Sequence, residues 1–192
     1  MESTPSPTLL LAQQARLASH AMQTVTAVQK SAALASIAQI LAERKGDILD
    51  ANRIDLENAK QEVEAGRLSS SLFKRLDLAG PDGEKYASLL DGVKDVDNLP
   101  DPTARPEVVV QISCLALKSG NAVILKGGKE ATHSNEALFR AIKEGLRASD
   151  LPPAAVQLVH GRNEVEELLA MDAYVDLVIP RGSKQLVFNE RW

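Results

Sequence analysis

Apolar positions along this chain follow two different rhythms. From Thr8 to Glu43 they recur at Leu11, Ala15, Ala18, Met22, Val25, Val28, Ala32, Ala35 and Ile40, close to one face of a 3.6-residue repeat, and no Gly or Pro interrupts the run. The pattern predicts one helix, with Thr8 as its cap and Gly46 just beyond the Glu43-Arg44-Lys45 end. A second helix is expected from Asp47 to Ala65, with Ile48, Leu49, Ile54 and Leu56 inward and Gly66 stopping it. Shorter helices follow over Ser69–Leu76 and Gly83–Lys94. Between Asn98 and Pro106 three prolines deny regular structure, which marks a junction.

Beyond the junction the rhythm changes to short apolar runs between helical stretches. Pro106 suits the first position of a helix reaching Lys118, closed by Gly120. A strand Ala122–Lys126, a loop Gly127–His133 and a helix Ser134–Ala148 come next. Pro152-Pro153 lead into a strand Ala155–Val159, and a short helix starts at Asn163, with Glu166 three residues on as a capping-box partner. Val175–Ile179 reads as a third strand, ended by Pro180. Alternating β and α with wholly apolar strands implies an α/β fold: a partial Rossmann-like parallel sheet, covered on both faces, preceded by a helical segment. The division expected is 1–98 helical, 99–106 proline-rich junction and 107–192 partial α/β domain. A sheet of three strands with an open edge is a weak core. The helix Pro106–Lys118, apolar on nearly every side, is expected to lack a strand partner. Marginal stability follows from both.

Composition removes several function classes. The 22 basic and 26 acidic residues leave a net charge of −4, the wrong sign for a nucleic-acid partner, and three Phe, two Tyr and one Trp give no stacking platform. One cysteine allows neither an intrachain disulfide nor a thiolate zinc site. His20, His133 and His160 show no metal-ligand spacing, so no metal is expected. No apolar run is long enough to span a membrane, and Met1–Thr8 resembles neither a secretory nor a transit leader, which makes a cytoplasmic protein the expectation.

Ligands of parallel α/β sheets bind beyond the carboxyl ends of the strands, and that rule selects three loops. Lys126-Gly127-Gly128-Lys129-Glu130 offers glycines for close backbone approach and two ammonium groups for phosphate. It is no Walker A loop, because Val123 stands where the first Gly belongs and Glu130 follows the lysine. On its residues alone it reads equally as a glycine turn with solvated lysines. Arg181-Gly182-Ser183 is either an anion-facing helix start or an ordinary turn capped by Ser183. His160-Gly161-Arg162 is a weaker version of the same. Cys114 lies between Val110 and Leu117 at helical spacing and reads as a packed core thiol. Glu164, Glu166 and Glu167 read as a solvated helix face.

Longer motifs carry a resemblance. Ala104 to Ile112 (Ala-Arg-Pro-Glu-Val-Val-Val-Gln-Ile), Leu115 to Ala131, Asp176 to Lys184 and Ile48 to Ala59 closely resemble the γ-glutamyl phosphate reductase family of the aldehyde dehydrogenase superfamily. The resemblance implies NADPH-dependent reduction of L-glutamyl 5-phosphate to L-glutamate 5-semialdehyde and phosphate, the second step of proline biosynthesis from glutamate. It implies that Lys126 contacts the adenine ribose, that Gly127, Gly128, Lys129 and Glu130 share that cofactor loop, and that Gly182 and Ser183 lie near the pyrophosphate. Arg105 and Pro106 match a loop lining the active site. Two departures stand out. The family's thiol nucleophile, in a Cys-Asn motif downstream of Arg-Gly-Ser, has no counterpart here, and Cys114 occupies an alanine position. Leu99-Pro-Asp-Pro102 also runs almost directly into Ala104-Arg-Pro106, where the family has a strand between. The expectation is an internally shortened, C-terminally truncated chain with no catalytic residue. It either descends from the reductase or serves as an inactive fragment, binding nucleotide in part or pairing with a full-length subunit or a second copy.

Overall fold

The structure is a computed structural model and describes residues 5–98 and 108–179. The proline-rich junction and the residues from Pro180 on lie outside the described residues.

The N-terminal run forms two helices, not one: α1 (Pro7–Met22) and α2 (Ala27–Glu43). The break falls where Thr24-Val25-Thr26 puts β-branched residues together. Thr26 is extended (φ −73°, ψ 160°) and its hydroxyl accepts from Gln29 N at 3.3 Å. The Gln29 Oε1 in return accepts from Thr26 N at 3.0 Å, a reciprocal cap that starts α2. Val28, expected inward, is exposed. Thr8 does not cap α1; Ser6 Oγ accepts from Leu9 N at 3.1 Å, and Pro7 takes the first helical position.

Helix α3 (Lys45–Glu64) follows after a single residue, so Gly46 lies inside it rather than ending its predecessor. Its inward face is Ile48, Asn52, Asp55 and Ala59, whereas Ile54 points to solvent. Gly66 ends this stretch at φ 70°, where Arg67 N donates back to Glu62 O. Helices α4 (Ser70–Leu76) and α5 (Glu84–Asn98) complete the first part, a 3-10 turn Pro81–Gly83 leading into the second.

Beyond the junction come α6 (Val108–Ser119), β1 (Val123–Lys126), a 3-10 turn Lys129–Ala131, α7 (Thr132–Arg147), β2 (Val156–Val159) and α8 (Arg162–Leu169). The strands pair in parallel, Val123 beside Val156 through Lys126 beside Val159. Val123, Leu125, Val156 and Leu158 turn to the main core, while Ile124 and Val159 face Ala12 of α1 and Leu168 of α8. Both faces are thus covered, the second by the N-terminal helix.

Two expectations need correction. Among the described residues Val175–Ile179 joins no sheet. A β-pattern specifies extended backbone, but a strand exists only where a neighbour offers its amides. Here Asp176 is ion-paired to Arg16 of α1, and Tyr174 Oη accepts from Gln13 Nε2 at 3.3 Å, which tethers the segment to α1. Leu177 and Ile179 remain exposed. Nor does the expected lack of a strand partner leave α6 uncovered. It runs alongside α5 in the same direction, with Gly92 against Gln111 and Asp97 against Lys118, and buries Val110, Cys114 and Leu117. One core cluster joins Leu34 and Ile37 of α2 and Tyr86 of α5 to Cys114 of α6 and Ile142 of α7.

Candidate functional site

In-register pairing sets Lys126 beside Val159, so the residues that follow, Gly127 and His160, leave the sheet side by side. Lys126 is exposed, and its ammonium donates to the adjacent Gly127 carbonyl at 3.0 Å. Gly127 is buried, and a Cβ there would lie 2.7 Å from Asn135 Nδ2, the end of a side chain that would have to shift to admit it. Gly128, Lys129 and Glu130 are exposed. The turn is closed by Ala131 N donating to Gly128 O at 3.2 Å and Thr132 Oγ1 donating to Lys129 O at 3.0 Å.

On the β2 side, Glu164 Oε2 accepts from His160 N (3.1 Å) and Gly161 N (2.6 Å), capping α8. This replaces the expected Asn163–Glu166 pair, and Gly161 is the cap residue. Glu167, too, is engaged rather than merely solvated, accepting from Ser6 Oγ at 2.9 Å. His160 Nε2 stands 3.8 Å from Glu136 Oε1, and the second oxygen of Glu136 is buried with no hydrogen-bond partner among the described residues.

The structure therefore gathers Lys126, Gly127, Gly128, Lys129 and Glu130 at one strand end, with His160 and Glu136 adjoining. Arg105, Pro106, Gly182 and Ser183 lie outside the described residues. A shallow depression of about 330 Å³ between Leu168, Val175 and Val178 is a separate feature.

Residues of α3 that the periodicity did not single out also reach this loop. Asp55 accepts from His133 N (3.1 Å), Ser134 N (2.7 Å) and Ser134 Oγ (2.6 Å), and His133 Nδ1 stands 2.8 Å from its Oδ1. Asn52 Nδ2 donates to Ser134 Oγ at 3.0 Å. Farther along α3, Arg67 grips Glu62 with two nitrogens, which with Lys129 nearby holds that carboxyl below its ordinary range. The available signal was two polar residues on the inward face between Ile48 and Ala59.

Cys114 is wholly buried in α6, and burial pushes its thiol up to about 12. A proton held that firmly leaves no thiolate at neutral pH. Among the described residues no three His, Cys, Asp or Glu side chains are grouped to hold a metal, and no helix is long and apolar enough to cross a membrane.

The described residues thus form a two-stranded parallel pair with helices on both faces, and a glycine turn bearing two ammonium groups at the strand ends. Residues 107–187 match the aldehyde dehydrogenase family, whose members use a nicotinamide dinucleotide. The chain also resembles γ-glutamyl phosphate reductases. It is 42% identical over 204 residues to the Schizosaccharomyces pombe protein named "Probable gamma-glutamyl phosphate reductase", covering 91% of this chain and 45% of that protein. The crystal structure of γ-glutamyl phosphate reductase from Saccharomyces cerevisiae matches at a TM-score of 0.85 and 33% identity, over 96% of this chain and 53% of that one. The reductase from Thermotoga maritima matches at 0.83 and 29%, over 95% and 50%. The chain thus spans about half the length of the relatives it matches. The 204-residue alignment is longer than the chain itself, so the S. pombe protein has residues inside the matched stretch that this chain lacks.

The residues present suit a nicotinamide dinucleotide. Lys126 and Lys129 supply positive charge, and Glu136 holds a buried acceptor unused among the described residues.

Proposed function

We propose that this chain carries part of the NADP site of a γ-glutamyl phosphate reductase, whose reaction converts L-glutamyl 5-phosphate and NADPH to L-glutamate 5-semialdehyde and phosphate. That reaction is the second step of proline biosynthesis from glutamate. The observation that carries the reading is the loop Lys126–Glu130, which leaves the carboxyl end of β1 in the fold of that enzyme. When bound, the dinucleotide supplies the hydride. The chain's own groups bind and orient it: Lys126 toward the adenine ribose, and Lys129 as a second positive charge that favours the additional phosphate of NADP over NAD. Gly182 and Ser183 are assigned to the pyrophosphate, and Arg105 and Pro106 to the substrate side.

A second reading is favoured by Cys114. It is the chain's only cysteine, protonated and sealed in the core. Acyl transfer needs a thiolate to displace phosphate. On this reading the chain by itself forms no acyl-enzyme, and it acts as a nucleotide-binding fragment or a partner for a full-length subunit or a second copy.

Calorimetric titration of the purified chain with NADP tests the first statement; binding weakened about tenfold by Lys126→Ala supports it, and absence of heat sinks it. The reverse reaction tests the second. NADP reduction that depends on both phosphate and glutamate semialdehyde would show an active enzyme; no turnover above the blank is expected.

A further inference from the structure

We infer that Asp55, on a helix of the N-terminal part, is a positioning residue for the cofactor loop. It supplies in trans the cap that α7 lacks, and so fixes the turn from Gly127 to Ala131. The inference rests on the reading of that loop as a dinucleotide site.

A helix leaves its first amides without internal partners, and a side chain at the N-cap position normally satisfies them. Helix α7 begins after Ala131, which has no capping side chain, and the short turn Lys129–Ala131 runs straight into it. Asp55 fills the deficit from outside. One carboxylate oxygen takes the amide of His133 and stands 2.8 Å from His133 Nδ1; the other takes both the amide and the hydroxyl of Ser134. The carboxylate is nearly sealed from water, at 3% exposure of its side chain. A buried charge is tolerated only when its lone pairs are satisfied, and here four donors converge on two oxygens. The positive end of the helix adds to the attraction.

Asn52, one turn earlier on α3, locks this arrangement from behind. Its Nδ2 donates to Ser134 Oγ and to Leu76 O at 2.7 Å, while its Oδ1 accepts from Leu78 N at 3.0 Å. The loop is therefore clamped at its downstream end by α3 and anchored upstream by β1. Five residues between two fixed points, one of them the tightly packed Gly127, have little conformational freedom left to lose when a ligand binds. A further consequence is that the amides of His133 and Ser134 are already committed to an internal carboxylate. A dinucleotide phosphate meets a negative charge there, so α7 does not serve as a phosphate-binding helix start, and recognition falls to Lys126, Lys129 and the turn itself.

The test uses the full chain and NADP. Asp55→Asn keeps the shape but places an amide against Ser134 donors, and Asp55→Ala removes the anion. The expected result is NADP affinity lowered about fivefold in Asp55→Asn and at least tenfold in Asp55→Ala, with faster amide exchange at Ser134 and across the turn. Formate, the side-chain carboxylate as a free ion, restores binding to Asp55→Ala. A merely structural loss would instead lower the urea midpoint and leave the NADP dissociation constant of the folded variant unchanged. Tyr86→Phe, which loosens the core far from the loop, leaves the dissociation constant unchanged when measured below its melting temperature. Should Asp55→Ala fail to fold, Asp55→Asn decides alone. Wild-type affinity in a folded Asp55 variant overturns the inference while leaving the dinucleotide reading intact. Failure of the unaltered chain to bind NADP overturns that reading, and this one with it.

Discussion

Gly145 of α7 lies directly against the main chain of Ile37 on α2: a methyl group at position 145 would come within 2.7 Å of Ile37 Cα and 2.9 Å of its nitrogen. This contact lets α2 and α7 approach closely enough to bury Ile37, Leu34 and Ile142 in one core. Intrinsic propensity favours Ala over Gly in a helix by about 1 kcal/mol. Overpacking costs about 1–3 kcal/mol, and the obstacle here is backbone, which cannot rotate aside. The steric effect wins. Gly145→Ala is expected to lower stability by about 1–2 kcal/mol, read as a lower urea midpoint with an unchanged slope; a rise in midpoint would refute the close approach.

The same packing ties the helical segment to the α/β segment, so we expect them to unfold as one. With helices α2 and α7 sharing their apolar faces, neither part keeps a core alone. The two-stranded sheet is too small to set stability, and the open-edge argument for a marginal fold loses its force. Far-UV dichroism and the reactivity of Cys114 toward a thiol reagent should give coincident urea midpoints. Two separated midpoints would mean two independent units.

Two buried groups contribute to the loss of stability at alkaline pH. Burial pushes both the Tyr86 phenol and the Cys114 thiol up to about 12. In the unfolded chain these groups lose their protons near pH 10 and pH 8.5. A raised folded value means stability is intact below the unfolded value and falls as pH rises toward the folded one. The unfolded state then binds fewer protons, and each group contributes a decline of about 1.4 kcal/mol per pH unit. Cys114→Ala should flatten the decline that begins near pH 9, and Tyr86→Phe the part above pH 10. Tyr86→Phe also leaves Leu41 O without its 2.7 Å donor, at a cost of about 1 kcal/mol at neutral pH. An alkaline limb unchanged in both variants would contradict this account.

How far these features could be read from sequence depends on what fixes each one. The strands Val123–Lys126 and Val156–Val159 were legible because runs of β-branched and aliphatic residues between turn formers have few alternatives. The loop at Lys126 was legible because strand ends and glycines point to it by rule. The break at Thr24–Thr26 was hidden, since an apolar period does not register that Thr26 and Gln29 cap each other. Val175–Ile179 was misread because its tether is an ion pair to Arg16, 160 positions away in the chain. Asp55 was overlooked for a related reason. Periodicity treats a carboxylate as outward, and only the arrival of four donors from His133 and Ser134 makes an inward Asp the stable arrangement.

The ends of α5 and α6 meet in a second charged cluster, whose pH dependence has the opposite sign. Lys118 Nζ donates to Asp97 Oδ1 at 2.7 Å and to the Asp97 carbonyl at 2.8 Å, and Ser31 Oγ of α2 donates to the same carboxylate at 2.7 Å. The Lys118 ammonium, followed by the Ser31 hydroxyl, holds the Asp97 carboxyl below its ordinary value. A lowered folded value means the contribution is present above the unfolded pKa near 4 and is lost as pH falls through the folded one. Both side chains keep about a third of their surface in water, so solvent and salt screen the pair and the effect is modest. Lys118→Met keeps the aliphatic stem while removing the charge, and should flatten the loss of stability below pH 4. Ser31→Ala should flatten it less, because the hydroxyl is the smaller of the two causes. Adding salt should reduce the wild-type slope toward that of Lys118→Met. If Lys118→Met and the wild type lose stability in parallel from pH 5 to pH 2, the ion pair does not link the ends of these helices in solution.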